Sequence, residues 1–130
     1  MLISIAVCFT LNTVTTLLHY EVFLWLTGIL GNLEIHGRGK VPVSFFVAFS
    51  AHLVEIAFDA IALWLMTTYF AVGELRGADE ISFATLFYFS TETFTSLGFG
   101  DMMPVGPIRM LAGIEALNGL LLVGWSASYL

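Results

Sequence analysis

The stretch STETFTSLGFGDMMP, residues 90–104, decides the fold because it is polar and glycine-rich yet lies between two long apolar runs. It carries two carboxylates, Glu92 and Asp101, and a Gly-Phe-Gly triplet at residues 98–100. Non-helical backbone at membrane depth is tolerated only where it lines a water-filled cavity or is buried in protein. If the flanking runs enter a membrane, this stretch is therefore expected to line water or ions.

The composition is typical of a membrane protein. The chain is 58% hydrophobic and only 11% charged, whereas soluble domains average about 45–50% and about 25%. The net charge is −6 with only four lysines and arginines, which excludes a nucleic-acid partner because phosphate binding needs a basic patch. The single cysteine, Cys8, allows no intramolecular disulfide and is interpreted as a buried hydrophobic residue.

Three apolar segments are long enough to cross a bilayer as helices, which takes about 20 residues. They are residues 2–30, 43–70 and 108–130. A fourth apolar stretch, residues 83–95, is too short to span and predicts a re-entrant half-helix with Ser82 as its N-cap.

The loops predict an orientation. The loop at residues 31–42 contains Arg38 and Lys40, whereas the loop at residues 72–82 is acidic. Basic loops favour the cytoplasmic side. We therefore expect the N-terminus and the acidic loop outside, and the C-terminus in the cytoplasm.

The return segment after the half-helix suits cation binding. A row of backbone carbonyls can replace the hydration shell of a monovalent cation. Pointing successive carbonyls at one axis needs alternating backbone handedness, which Gly98 and Gly100 permit at little steric cost. Ser96 adds a hydroxyl oxygen, and the C-terminal end of the preceding helix carries partial negative charge.

These residues resemble the pore loop of the potassium channel superfamily, in particular the pore module of small prokaryotic channels. The family signature Thr-Val-Gly-Tyr-Gly-Asp is matched by Ser-Leu-Gly-Phe-Gly-Asp at residues 96–101. Upstream and downstream positions also match the family pattern: Ser90, Glu92, Thr93, Thr95, Pro104, Arg109 and Gly119.

The resemblance implies an all-α membrane protein with three transmembrane helices, a re-entrant pore helix and a selectivity-filter loop, assembled as a homotetramer around one pore. Residues 1–42 would form an extra helix and a cytoplasmic loop. Residues 43–130 would form the pore module. Its parts would be an outer helix at 43–70, a pore helix at 83–95, a filter at 96–101 and an inner helix at 108–130.

The implied function is passive, selective conduction of K⁺ in a prokaryotic cell membrane. The partners would be K⁺, membrane lipids and other copies of the chain, with no cofactor and no catalysed reaction. K⁺ would bind at the filter residues Ser96, Leu97, Gly98, Phe99 and Gly100.

Three filter residues depart from the commoner signature. Ser96 lacks the methyl group of threonine, Leu97 replaces valine, and Phe99 lacks the tyrosine phenol that bonds to the pore helix in the family. The segment from Asp101 to Arg109 is also one residue shorter than in the simplest bacterial channels. A weakly selective monovalent cation channel is therefore the alternative function.

Four residues around the filter are assigned supporting roles by the resemblance: Glu92, Thr93, Thr95 and Asp101. Glu92 and Asp101 match a carboxylate pair behind the filter, and we expect a direct hydrogen bond with one shared proton. An exposed Asp101 and a separately satisfied Glu92 are the plainer interpretation. Gly119 is either a gating hinge or a packing position.

The second span carries His52, Glu55 and Asp59 on one helix face. Such groups at membrane depth face protein or water. Three interpretations stay open. The residues form a hydrogen-bonded stripe that docks the first span through Asn12, His19 or Glu21, a pH sensor, or a metal site. A membrane enzyme or transporter subunit built on this stripe is a second alternative function.

Two further sets of polar residues lie within the spans. Threonines of the first span, among them Thr10, Thr13 and Thr15, are expected to bond back to their own helix. Glu115 and Asn118 of the third span are expected to bond to the half-helix or to the second span, and a role in lining the pore is the alternative.

Overall fold

The computed structural model describes residues 2–32, 34 and 37–129. Its elements in chain order are α1 (Leu2–Asn32), α2 (Gly37–Trp64) continued by a π-helical turn (Leu65–Tyr69), β1 (Glu74–Arg76), α3 (Phe83–Phe94), β2 (Met103–Val105) and α4 (Ile108–Tyr129). Three residues of the predicted 31–42 loop and the last residue of the predicted third span lie outside the described residues.

Three of the helices are long and apolar enough to cross a membrane. They are Leu2–Asn32 with 31 residues, Gly37–Tyr69 with 33 residues, and Ile108–Tyr129 with 22 residues. At about 1.5 Å per residue each exceeds the roughly 30 Å of bilayer hydrocarbon. The prediction of three spans is confirmed, and the protein is a multi-pass membrane protein.

The second span begins earlier than predicted. Helix α2 starts at Gly37 and runs through Pro42, inside the segment interpreted as a loop. Proline removes one helical N–H, but Val43 and Val47 pack against a buried cluster that includes Phe23 of α1. The packing of these two valines thus outweighs the unfavourable effect of proline within the helix. The side chain of Lys40 donates a hydrogen bond to the carbonyl of Leu30, 2.6 Å away, at the end of α1.

Helix α1 packs against α2 and α4, whereas α3 lies between α2 and α4. The larger buried cluster joins Cys8 of α1 to Met66, Leu86 of α3 and Ile108 of α4. One buried cluster is therefore shared by α1, α3 and α4. The first span packs against the second span of its own chain.

A two-stranded antiparallel sheet, absent from the sequence-based prediction, joins the two loops around α3. Strand β1 pairs with β2 so that Leu75 faces Pro104. Each strand has only three residues and one contains a proline, so neither shows the alternation that marks a strand. Leu75 is buried in the larger cluster, and this burial supports the pairing.

Candidate functional site: the segment after α3 and its supports

Helix α3 begins as predicted at a serine cap. The hydroxyl of Ser82 accepts a hydrogen bond from the backbone N–H of Thr85, 3.2 Å away. Such a cap satisfies one of the free N–H groups of the first turn. The prediction that Ser82 is the N-cap is confirmed.

Helix α3 ends in a Schellman motif with Ser96 in the left-handed conformation. The N–H of Leu97 donates to the carbonyl of Glu92 at 2.9 Å, and the N–H of Ser96 donates to that of Thr93 at 3.0 Å. Ser96 has φ 57°, a value that glycine usually takes at this position. The motif turns the chain sharply out of the helix at the first residue of the predicted filter.

Left-handed backbone recurs at alternate residues of this segment. Gly98 has φ 54° and Gly100 has φ 81°, two and four residues after Ser96. The prediction that both glycines adopt positive φ is confirmed. A methyl group on either glycine would meet nothing within 4 Å, so the requirement for glycine here is conformational.

Glu92 connects α3 to the backbone of this segment. Its Oε1 accepts a hydrogen bond from the N–H of Phe99 at 3.1 Å, and the side chain is 4% exposed. The same oxygen lies 3.1 Å from the hydroxyl of Tyr88. A buried carboxylate that accepts two hydrogen bonds is well satisfied, so Glu92 holds residue 99 at a set distance from α3.

The expected direct hydrogen bond between Glu92 and Asp101 is not among the contacts of the described residues. The hydroxyl of Tyr88 also lies 3.2 Å from Oδ2 of Asp101. Its single proton can be donated to only one of the two carboxyl groups, so it bridges both when the other carboxyl is protonated and donates to the phenol oxygen. Tyr88 was not predicted from the sequence. Its spacing of four residues from Glu92, which places both on one face of α3, was the signal that could have identified it.

The other two predicted support residues, Thr93 and Thr95, form hydrogen bonds at the C-terminal end of α3. The hydroxyl of Thr95 donates to the carbonyl of Thr91 at 2.7 Å, and Thr93 contributes its carbonyl to the Schellman motif. Among the described residues, neither side chain forms a hydrogen bond to residues 96–101. The apolar side chains of this segment are largely exposed: Leu97 is 60% and Phe99 is 67% exposed.

The second-span stripe divides into two parts. Glu55 lies 2.8 Å from Nδ1 of His19 and 2.8 Å from Nδ1 of His52. Ser126 of α4 lies 3.3 Å from Nε2 of His19 and 3.0 Å from Nε2 of His52. We call these four residues the polar cluster. The stripe thus docks α1 through His19, one of the three partners considered.

Asp59 does not join the polar cluster. Its Oδ2 and both carboxylate oxygens of Glu115 are buried without a hydrogen-bond partner among the described residues. Both residues line a cavity of about 10 Å³. Asn118 donates to the hydroxyl of Thr15 on α1 at 2.9 Å, so the expectation that it bonds to the half-helix or the second span was wrong.

Three threonines of α1 form hydrogen bonds to the backbone of their own helix, as predicted. The hydroxyls of Thr10, Thr13 and Thr15 donate to carbonyls four residues earlier at 2.8, 2.8 and 2.9 Å. Each hydroxyl is therefore satisfied within the apolar helix. Of these three, Thr15 also accepts a hydrogen bond from Asn118 of α4.

Comparison with known proteins places this multi-pass membrane protein in a family. Residues 54–130 match the family described as "Ion channel", which covers α3, the segment after it and α4. The chain belongs to this ion channel family, within the potassium channel superfamily.

A curated relative is the inward rectifier potassium channel Kirbac3.1 of Paramagnetospirillum magnetotacticum. It is 34% identical over 89 residues, a stretch that covers 67% of this chain and 28% of that protein. The chain therefore spans well under half the length of this relative.

Proposed function

We propose that the chain assembles as a homotetramer and conducts K⁺ passively and selectively across a membrane. The ion ligands would be the backbone carbonyls of residues 96–100 and the hydroxyl of Ser96. The alternation of left-handed backbone at Ser96, Gly98 and Gly100 carries this proposal. Carbonyls turned toward one axis can replace the water around a monovalent cation.

The exposed apolar side chains support an assembly of several copies. One chain supplies only one side of a carbonyl-lined pore. Leu97 and Phe99 have more than half of their surface exposed. They lie next to the hydrogen bond between the N–H of Phe99 and the carboxylate of Glu92. Burying such side chains against a neighbouring subunit is favourable by about 25 cal/mol per Å² of apolar surface.

Helix α3 fits the part of a re-entrant pore helix. Its 12 residues reach about 18 Å, which is too short to cross a bilayer. Its C-terminal end leads directly into residue 96, so the partial negative charge of that end would lie near the ion. In this proposal residues 101–105 face the outside and the C-terminus lies in the cytoplasm.

A weakly selective cation channel is the second candidate function. The side chain of Phe99 has no polar group to bond to α3, so the backbone N–H is the contact that connects this residue to Glu92. A filter held by fewer bonds would adapt to Na⁺ more easily.

A membrane enzyme or transporter subunit built on the stripe has less support. His19 and Glu55 are completely buried, and the cavity beside Asp59, about 10 Å³, holds about one water molecule. A larger cavity of about 190 Å³ reaches His52 and Ser126, but the rest of its lining is apolar, so it presents no second acid or base to a substrate. The proposed function needs no cofactor and no catalysed reaction.

Single-channel recording of purified protein in bilayers, with K⁺ and Na⁺ on opposite sides, tests the proposal. A reversal potential close to that of K⁺ supports selective conduction. A reversal potential near zero supports the weakly selective alternative. Absent current from folded tetramers, with the tetramer verified by native mass spectrometry, refutes conduction by this chain.

A further inference from the structure

The polar cluster of His19, His52, Glu55 and Ser126 forms a closed cycle of four hydrogen bonds between three helices. Going round the cycle, the contacts are Glu55 to His19, His19 to Ser126, Ser126 to His52, and His52 back to Glu55. Each imidazole uses both ring nitrogens. Every member therefore has one partner on each side.

Counting protons shows that an ionised glutamate with two neutral histidines cannot make all four bonds. A carboxylate only accepts, so both Nδ1 atoms must carry a proton. A neutral imidazole has one proton, which leaves both Nε2 atoms as acceptors. The hydroxyl of Ser126 has one proton and can donate to only one of them. One contact would then join two acceptors.

We propose that the polar cluster binds one additional proton, and that this proton holds α4 against α1 and α2. With it, one imidazole donates from both nitrogens, or the Glu55 carboxyl donates from one oxygen. All four contacts then become hydrogen bonds. The proposal does not depend on ion conduction.

Charge balance requires the same proton. Glu55 and His19 are completely buried, His52 is 16% exposed and Ser126 is 5% exposed. A lone carboxylate at such a place would be an uncompensated buried charge, which is strongly unfavourable. One additional proton makes the net charge of the cluster zero.

The surroundings of the cluster supply no other compensating charge in the described part of the chain. The neighbouring rings are apolar or unionised: Phe23 at 4.6 Å and Trp125 at 5.2 Å from His19, and Phe94 of α3 at 5.6 Å from His52. Tyr129 packs on Phe23, but its hydroxyl is 2.7 Å from that of Thr27.

Along α2, the nearest titratable residue outside the cluster is Asp59, one turn after Glu55. Asp59 is itself an acid, and the residue of α4 that lines the same cavity is Glu115, also an acid. Neither can supply a positive charge to the cluster. The proton is therefore supplied from outside this group of side chains. His52, the most exposed of the three titratable members, is where it would enter.

Loss of the proton would weaken the attachment of α4 to α1 and α2. Ser126 would keep one histidine partner and face the lone pair of the other, which is a repulsive contact. Because Ser126 is the contribution of α4 to the cycle, the C-terminal end of this helix would be held less tightly. Raising the pH is therefore expected to loosen the end of α4 near Tyr129.

Glu55→Gln provides a matched variant. An amide has a donor as well as an acceptor, so it can donate to one imidazole and accept from the other. The cycle then closes with two neutral imidazoles and no additional proton. The variant keeps the shape and the four bonds, but removes the need for the proton.

The test measures proton positions directly, in bilayers at about pH 7. Histidine ¹⁵N NMR and the carboxyl infrared band are recorded in a His36→Gln background, so that only the two cluster histidines contribute. The expected result is one imidazolium, or one protonated carboxyl, per chain. Adding Glu55→Gln should give two neutral imidazoles and no carboxyl band that depends on residue 55.

Hydrogen exchange tests the effect on α4. After correction for intrinsic rates, protection of the amides near Ser126 should fall about tenfold when the pH is raised until the imidazolium or carboxyl signal disappears. In Glu55→Gln it should not change. An ionised Glu55 with two neutral histidines and a protected α4 would overturn the proposal. So would one tightly bound transition metal ion per chain, because these three side chains could also ligate one.

Discussion

Gly119 of α4 lies directly against the carbonyl of Phe94 at the end of α3. A methyl group at Gly119 would stand 2.1 Å from that oxygen and 2.8 Å from the ring of the same residue. The glycine is buried inside a continuous helix. Close packing of α4 on the end of α3 is thus sufficient reason for glycine here, and a hinge at Gly119 stays a prediction.

Gly119→Ala is expected to destabilise the protein by about 1–3 kcal/mol, because the extra methyl group forces α3 and α4 apart. Detergent or thermal unfolding measures this loss. Gly124→Ala is the matched control on the same helix, since its methyl group meets nothing within 4 Å and alanine favours helix. Equal stability of the two variants would contradict the contact.

Gly98→Ala is expected to disturb the predicted filter through backbone strain alone. An L-residue with φ near 54° costs about 1–2 kcal/mol, and no steric clash contributes. Replacement by D-alanine through semisynthesis is the control, because a D-residue favours positive φ. K⁺ current should survive with D-alanine and be lost or less selective with L-alanine. Indistinguishable currents would show that positive φ at residue 98 is unimportant.

Tyr88→Phe is expected to loosen residues 96–101, because it removes the bridge between Glu92 and Asp101. Hydrogen bonds to charged groups contribute about 1.5–3 kcal/mol. The measurement is the lifetime of the conducting state in steady K⁺ recordings, which should shorten. Tyr69→Phe is the control, as its side chain is 70% exposed. A normal lifetime in Tyr88→Phe would exclude a supporting role for the bridge.

Ser82→Ala is expected to destabilise α3 by about 1 kcal/mol, because the cap bond to Thr85 is lost. Ser82→Asn, which can cap the helix equally well, should retain the stability. Amide exchange in the first turn of α3 reports the difference locally. Equal protection in the two variants would indicate that packing alone holds the start of α3.

Local features of the site were predictable because they depend on near neighbours in the chain. The cap at Ser82 and positive φ at Gly98 follow from residue type and position. The Tyr88 bridge was not predicted, because Asp101 reaches it only after the chain has turned back. The β1–β2 pairing was missed for the same reason: its partners are about thirty residues apart.

The sequence by itself determined three membrane-length helices, a short capped helix and a left-handed alternation after it. Apolar content, helix length and the steric freedom of glycine are properties of single segments. Only the tertiary structure decided that Gly119 contacts Phe94 and that Ser126 completes the polar cluster with His19, His52 and Glu55. Serine and glycine in an apolar helix look alike in sequence whether they face lipid or protein, and their role depends on which helix packs against them.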